Sequence, residues 1–393
     1  MSLRVLHVVQ AFSPLTETFL YDLVRETALR GDALVVTQRR VHAASRPFDP
    51  VRVIARSAGR VAALRDRILW SLRRDGAPDP QWIGLRRALA RVARAYRPDV
   101  VHAHFGDQGV LAAPVARTLG VPLLTSFYGY DASQLPRDPR WRRSFRALVA
   151  GPNRALVLSR AMMNALASAG LARDRIFVLC TGKRLSDYPF RARDRSPARF
   201  VTVGRLVEKK GHLDAVEAFA RLVADGSDVS LDIVGQGPME RDIKARIEAL
   251  QLQGRVRLLG ALDHGETARL MSEADAFVLC SRTAANGDQE GVPTVLMEAQ
   301  ALGLPCVSTR HAGIPEVIPE DNHGLLAREG DVAGIAAALR HLKAMSPVEI
   351  RATCERGLQH VQAHHDVGRQ GSRLADLYRA AATGSDPSGR AFE

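Results

Sequence analysis

The amino-acid sequence predicts an α/β protein of two domains, each built on a parallel sheet. Three observations predict this. Apolar runs of four to seven residues alternate with stretches whose apolar residues recur at helical spacing, the pattern of βαβ units. The alternation stops once, over residues 184–197, which hold Pro189, Pro197 and four arginines, and then restarts. A chain of 393 residues has the length of two domains at about 150 residues each.

In the first half, strands are expected at 5–9, 33–37, 51–54, 99–104, 121–126, 155–158 and 176–180. Each is an apolar run bounded by polar residues, as parallel strands buried on both faces read. Helices are expected at 82–96, 108–119 and 161–169. In the second half, strands are expected at 200–204, 230–235, 256–259, 276–280 and 305–308. Helices between and after them are expected at 212–224, 239–250, 266–273, 294–302 and 332–345. Residues 184–197 read as the linker, and the tail after Thr383 as a frayed end. Two α/β halves so joined are expected to hold their ligand in a cleft between them.

Composition narrows the function classes. Hydrophobic residues at 46% and charged residues at 25% exclude a disordered chain. Cys180, Cys280, Cys306 and Cys354 lie far apart, with no CxxC pair and no histidine at metal-ligand spacing. Neither a disulfide framework nor a metal site is expected, and the cysteines read as buried free thiols. No apolar run approaches the roughly 18 residues of a membrane span. The N-terminal run is interrupted by His7, lacks a small-residue cleavage site and reads as a first strand. A cytoplasmic protein is expected.

The charge is unevenly placed. Lys and Arg number 55 against 42 Asp and Glu, a net of +13 that implies an anionic partner. Residues 1–199 hold 34 Lys/Arg against 15 Asp/Glu, a net of +19, and residues 200–393 hold 21 against 27, a net of −6. Within the basic half, Val61, Leu64, Ile68 and Leu72 fall on one helical face. Arg60, Arg65, Arg67, Arg73, Arg74 and Trp70 surround them. That is a membrane-surface pattern, and equally the pattern of an ordinary helix packed on a core.

Three segments carry chemistry. In Arg282–Glu298, Gly291-Val292-Pro293 separates Glu290 from an apolar helical run. Pro293 suits the first helical turn, and backbone N–H groups at that helix start form an anion site. Thr294 and Glu298 fall on one helix face. Both glutamates suit sugar and ribose hydroxyls, and equally a helix cap and a solvated side chain. Arg205 and Lys210 lie on the loop after the strand at 200–204, where α/β folds bind ligands, and two cations suit a diphosphate. A solvated basic loop is the competing reading. Gly235-Gln236-Gly237-Pro238 also follows a strand. Glu240 replaces the third glycine of a dinucleotide fingerprint, so NAD is not expected. These glycines read as a tight turn allowing close approach of a nucleotide.

Together, GRLVEKKG, VGQGP, the Glu290–Glu298 pair and ALGLPCVSTRHAGIPEVI resemble the retaining glycosyltransferases of family 4, which have the GT-B fold. Phe12–Leu20, 101–106 and Ser126–Asp131 resemble the colanic-acid and amylovoran branch, whose enzymes make exopolysaccharide. The similarity runs over about residues 3–380. It implies two Rossmann-like domains facing across a cleft: 1–188 for the acceptor, 198–365 for the nucleotide-sugar, and a helix at 366–382 crossing back onto the first. It implies that Arg205 and Lys210 hold the donor diphosphate with Gly204, Gly235 and Gly237 beside them. Glu290 contacts the donor sugar, Gly291, Val292, Pro293 and Thr294 flank sugar and phosphate, and Glu298 contacts the ribose. Glu17 and Thr18 reach the site from the other domain.

One position departs from the family. Many relatives carry Phe-His-Gly-x-Asp where this chain has Phe127-Tyr128-Gly129-Tyr130-Asp131. Either Tyr128 fills the histidine's role or His102 or His104 is displaced into it. Packing within the domain is the competing reading for both histidines. Asp131 reads as an acceptor contact or as a helix cap.

The implied reaction moves a sugar from a nucleotide diphosphate to a saccharide acceptor, lipid-linked and at the inner membrane face, with retention. Arg205, Lys210 and the helix N-terminus stabilise the departing diphosphate without metal or cofactor. A sugar-nucleotide epimerase or phosphorylase of the same fold is the alternative enzyme. A nucleic-acid-binding protein is the alternative from another class. Aromatics at 5% and the lack of a recognised module speak against nucleic acid.

Overall fold

The computed structural model describes residues 2–14, 17–55 and 82–385. The chain divides into two units, Met1–Gly182 with Val367–Glu393, and Lys183–Asp366. Both are Rossmann-like parallel-sheet domains. The helical face containing Val61, Leu64, Ile68, Trp70 and Leu72 lies outside the described residues. Among the described residues no helix is long and apolar enough to cross a membrane.

The first unit carries seven strands: β1 (Arg4–Phe12), β2 (Asp32–Arg40), β3 (Val51–Val53), β4 (Val100–His104), β5 (Leu123–Ser126), β6 (Arg154–Val157) and β7 (Ile176–Val178). Their order is β3-β2-β1-β4-β5-β6-β7, all parallel, with the direction of winding reversing between β1 and β4. The strands match the apolar runs, because a parallel sheet covered on both faces has no place for alternating polar residues. The last helix, Val367–Thr383, belongs to this unit. Leu374, Leu377 and Tyr378 pack into one core with Val5, Leu23, Val100 and Leu124. Arg30 of the first turn-out of helix Thr18–Ala28 donates to Ser372 and to the Gly368 carbonyl.

One polar group lies inside this core. His7 on β1 pairs in register with His102 on β4, and His104 lies two residues further on the same face. All three are fully buried. No metal-ligand spacing was readable because His7 lies 95 positions from His102, its partner across the strands. Only the β1–β4 pairing brings them together.

The second unit carries β8 (Arg199–Val203), β9 (Ser230–Val234), β10 (Val256–Gly260), β11 (Ala276–Leu279), β12 (Cys306–Thr309) and β13 (Leu326–Ala327), in the order β10-β9-β8-β11-β12-β13. Its core joins Phe200, Phe219, Leu231, Ile233, Val278 and Val307 with Ile335 and Leu339 of helix Val332–Ala344. The segment read as a linker is part of this unit. Arg193 is buried and donates to the carbonyls of Ala274 at 3.1 Å, Leu302 at 2.8 Å and Ser272 at 2.8 Å. Arg193 thus ties the segment to this unit, while Arg191 and Arg195 stay exposed.

Some elements went unforeseen. Strand β13 is two residues long and has no pattern to read. Helix Pro139–Leu148 exposes four arginines around three apolar residues, Trp141, Phe145 and Leu148. Helix Pro347–His364 did carry a start signal, the capping box of Ser346 and Glu349 with Pro347 at the first position.

Gly211 links the loop after β8 to helix His212–Ala224 with φ of 64°. A Cβ there would lie 1.7 Å from the Cys280 carbonyl oxygen. Gly211→Ala is therefore expected to cost on the order of 3 kcal/mol. Thermal unfolding checks this, and an unchanged Tm contradicts the account.

The buried histidines predict acid sensitivity. Burial holds all three rings below the ordinary imidazole value, His7 at about 3. The unfolded chain takes up protons on them below about pH 6.5, and the folded chain does not. Stability is thus whole above that pH and falls below it by about 1.4 kcal/mol per pH unit per ring. Asp131 runs the other way. Burial raises it to about 6, so it offsets roughly one ring between that pH and its unfolded value. Urea midpoints measured from about pH 7 down to about pH 4.5 should fall steadily, and a flat profile contradicts the buried neutral rings.

Candidate active site

In the second unit, the site is built on the loop that follows β8. Val203 leads into Gly204, Arg205 and Leu206, then a 3₁₀ turn Glu208–Lys210, then Gly211 and helix His212–Ala224. The turn aims its two lysines at different partners. Lys209 is buried and donates to Asp288 at 3.0 Å and to the Gln289 carbonyl at 3.1 Å. Lys210 Nζ lies 2.9 Å from Glu290 Oε1, with both side chains largely shielded from solvent. Arg205 is exposed and has no ion-pair partner among the described residues.

Glu290 is held from three sides. Burial alone would raise its pKa, but Lys210 first, then Lys209 and His311, bring the carboxyl below its usual value. Its backbone N–H donates to His311 Nε2 at 3.2 Å. His311 is buried, and its Nδ1 lies 2.5 Å from Glu329 Oε2. Since Nε2 accepts, Nδ1 carries the ring proton and donates it to Glu329. Glu329 also accepts from Thr283, and the bonds from His311 and Thr283 outweigh its desolvation and keep it ionised. The glutamate's main chain is thus fixed by a histidine that a carboxylate orients.

Helix Thr294–Ala301 follows. Pro293 stands at its N-cap with ψ of 107° and not in the first turn as expected from sequence. Gly291 and Val292 are buried beside it. Thr294 and Glu298 share the half-exposed face, while Val295, Leu296 and Met297 are buried. Glu298 is ion-paired at 2.8 Å with Lys183, itself almost fully buried. The glycines of VGQGP serve the protein's own backbone. A Cβ on Gly235 would lie 1.9 Å from the Gly204 oxygen, and one on Gly237 2.5 Å from the Leu206 oxygen. The close approach they permit within the protein is to the Gly204–Leu206 loop.

In the first unit, Glu17 precedes helix Thr18–Ala28, and both Glu17 and Thr18 are partly exposed. Tyr128 follows β5. Its hydroxyl meets His104 Nδ1 at 2.8 Å, and its ring packs on Phe19 and Phe105. His104 and His102 are packed inside the domain, the competing reading for both. His104 therefore acts behind Tyr128 and does not itself face an acceptor. Asp131 is fully buried, and its carboxylate accepts from the N–H groups of Gly106, Tyr128 and Gly129 at 2.9 Å each. It fastens two loops together, which corrects the acceptor contact proposed from sequence.

The structure therefore brings Lys210 and Glu290 together directly and leaves Arg205 open beside β8. Sequence reasoning missed Lys183, Lys209, His311 and Glu329. His311 lay inside a quoted motif, and Lys183 just before the segment read as linker.

Comparison with known proteins places these features. Residues 189–356 match the family model of group 1 glycosyl transferases, and residues 16–186 match that of glycosyltransferase family 4. WcaL of Escherichia coli, named for colanic acid biosynthesis, is 34% identical over 344 residues, covering 82% of this chain and 84% of its own. The amylovoran biosynthesis glycosyltransferase AmsK of Erwinia amylovora is 34% identical over 307 residues, 75% of each chain. The crystal structure of HepE from Anabaena in complex with UDP and glucose aligns with a TM-score of 0.76 at 18% identity, covering 96% of this chain and 100% of that one. The chain belongs to the GT-B glycosyltransferases of family 4, related to the colanic-acid and amylovoran enzymes.

Proposed function

We propose that this glycosyltransferase moves a hexose from a nucleotide-diphosphate-sugar to a saccharide acceptor in exopolysaccharide synthesis, with retention and without a metal. The contact between Lys210 and Glu290 carries the reading. Without donor the two groups neutralise each other. When a donor enters, the pair separates: Lys210 turns to the diphosphate beside Arg205, and Glu290 accepts from the sugar hydroxyls. Each charge keeps a partner throughout, so binding strands neither in a dry site.

The bond from the anomeric carbon to the diphosphate oxygen then breaks, and its electron pair goes to that oxygen. Arg205, Lys210 and the N–H groups at the start of helix Thr294–Ala301 stabilise the growing charge. The acceptor hydroxyl attacks from the face the diphosphate leaves, and its proton passes to the departing phosphate oxygen. Glu298 and Thr294 hold the ribose side. The acceptor belongs to the first unit, with Tyr128, Glu17 and Thr18. A lipid-linked saccharide on an anionic, cytoplasmic membrane surface suits its charge. The exposed Arg140, Arg142, Arg143 and Arg146 of helix Pro139–Leu148 support that reading.

Lys210→Met and Glu290→Gln keep volume and remove charge. Each is expected to lose about 10²- to 10³-fold in kcat with an unchanged circular dichroism spectrum. Turnover near wild type in either variant removes the site assignment. The donor is found with a thermal-shift panel of UDP-, GDP- and ADP-sugars, since the right one stabilises by mass action.

Cosedimentation with phosphatidylglycerol vesicles tests the membrane surface. Binding that weakens with salt is expected, and no binding at low salt sinks that part.

A further inference from the structure

Tyr128 stands where relatives carry histidine, and a phenol has one proton to direct. The buried groups behind it decide where that proton goes. Thr27 donates its hydroxyl proton to the Val24 carbonyl at 2.8 Å. Its oxygen is left as the acceptor for His7 Nε2 at 3.2 Å, so that nitrogen carries the His7 proton. Burial keeps His7 neutral, hence Nδ1 is bare and accepts from His104 Nε2 at 3.0 Å. His104 is neutral for the same reason, so its Nδ1 accepts the Tyr128 proton at 2.8 Å. Beside this run lies a second buried pair of contacts, His102 Nε2 to Ser126 at 2.8 Å and His102 Nδ1 to Tyr378 at 2.6 Å. From Tyr128 to the Val24 carbonyl, every hydrogen bond points the same way.

We infer that this one-way relay makes the Tyr128 hydroxyl a hydrogen-bond acceptor, so that the pocket it lines binds a hydroxyl donor, a saccharide O–H, with Thr27, His7 and His104 as positioning residues. The pocket is shared with Phe19, Ser126, Leu179 and Thr181. The inference rests on the glycosyl-transfer reading for the identity of the ligand, but not for the relay itself. The relay cannot serve as a base. A proton pushed along it would leave a buried imidazolium on His7, because the chain beyond it ends through Thr27 on the Val24 carbonyl, which is too weak a base to take the proton. The acceptor's proton must leave elsewhere, as it does when the departing phosphate takes it. The ligand atoms of the three rings lie within 4.8 Å of one another. Each of those six ring nitrogens already has a hydrogen-bond partner, so the cluster is complete without a cation.

Nitrogen-15 NMR of histidine-labelled full-length protein tests this, with His7→Gln and His104→Gln used only to assign the signals. His7 and His104 are expected as neutral Nε2–H tautomers, and none of the three rings is expected to titrate between about pH 5 and 8. A bare Nε2 or an imidazolium on His104, or one equivalent of bound zinc by elemental analysis, overturns the relay. Thr27→Val should mix the His7 and His104 tautomers, and Thr27→Ser should restore them. With the donor found above and a panel of methyl hexosides as acceptors, Thr27→Val should raise the acceptor KM about tenfold at nearly constant kcat. Thr27→Ser should restore it. An unmoved acceptor KM alongside mixed tautomers overturns the positioning role. Absence of transfer to any hexoside by wild type, with the tautomers as stated, counts against the glycosyl-transfer reading and leaves the relay standing.

Discussion

The ion pair between Lys210 and Glu290 is the constraint around which the second unit arranges its loops. Two opposite charges shielded from water must stay together, and each must be delivered by backbone that cannot drift. Delivery of the lysine depends on Gly211, whose left-handed conformation turns the chain from β8 into its helix against the Cys280 carbonyl. Delivery of the glutamate depends on His311, which receives the Glu290 N–H and is itself aimed by Glu329. Lys209 closes the same seam through Asp288. The neighbouring glycines of VGQGP let a second loop pack on the first without side chains between them.

This explains what was legible in the sequence and what was not. Strands of the two sheets were legible because parallel strands covered on both faces are unbroken apolar runs, as in 99–104 and 276–280. Arg205, Lys210, Glu290 and Glu298 could be singled out as candidates because residue type and the family motifs that hold them point to a bound diphosphate and sugar, and the contact between Lys210 and Glu290 came only with the fold. Their partners were not legible. Lys183 lies 115 positions from Glu298 in the chain, and only tertiary packing pairs them. Of the two readings of Asp131 the acceptor contact failed, because an aspartate's neighbours in sequence do not reveal three converging N–H groups, one of them from Gly106. The glycines of VGQGP were read correctly as a tight turn, yet the surface they approach is the protein's own.

The first unit separates its charge from its chemistry. Arginines crowd the outside of helix Pro139–Leu148, while the groups linked to the Tyr128 hydroxyl are neutral rings and a threonine hydroxyl. A positive surface gathers an anionic partner at a distance. A neutral, directional interior sorts ligands by hydrogen-bond polarity once they arrive. Neither task interferes with the other, because the arginines need water and the relay excludes it.

The last helix lends this unit a particular order of assembly. Its core is made from both ends of the chain, while the second unit is a continuous stretch between them. On the ribosome, residues 183–366 hold everything their own sheet needs before synthesis ends. The earlier-born sheet waits for Leu374, Leu377 and Tyr378, and until then His102 and Val100 face water. The domain that is translated first is thus the one whose core is completed last.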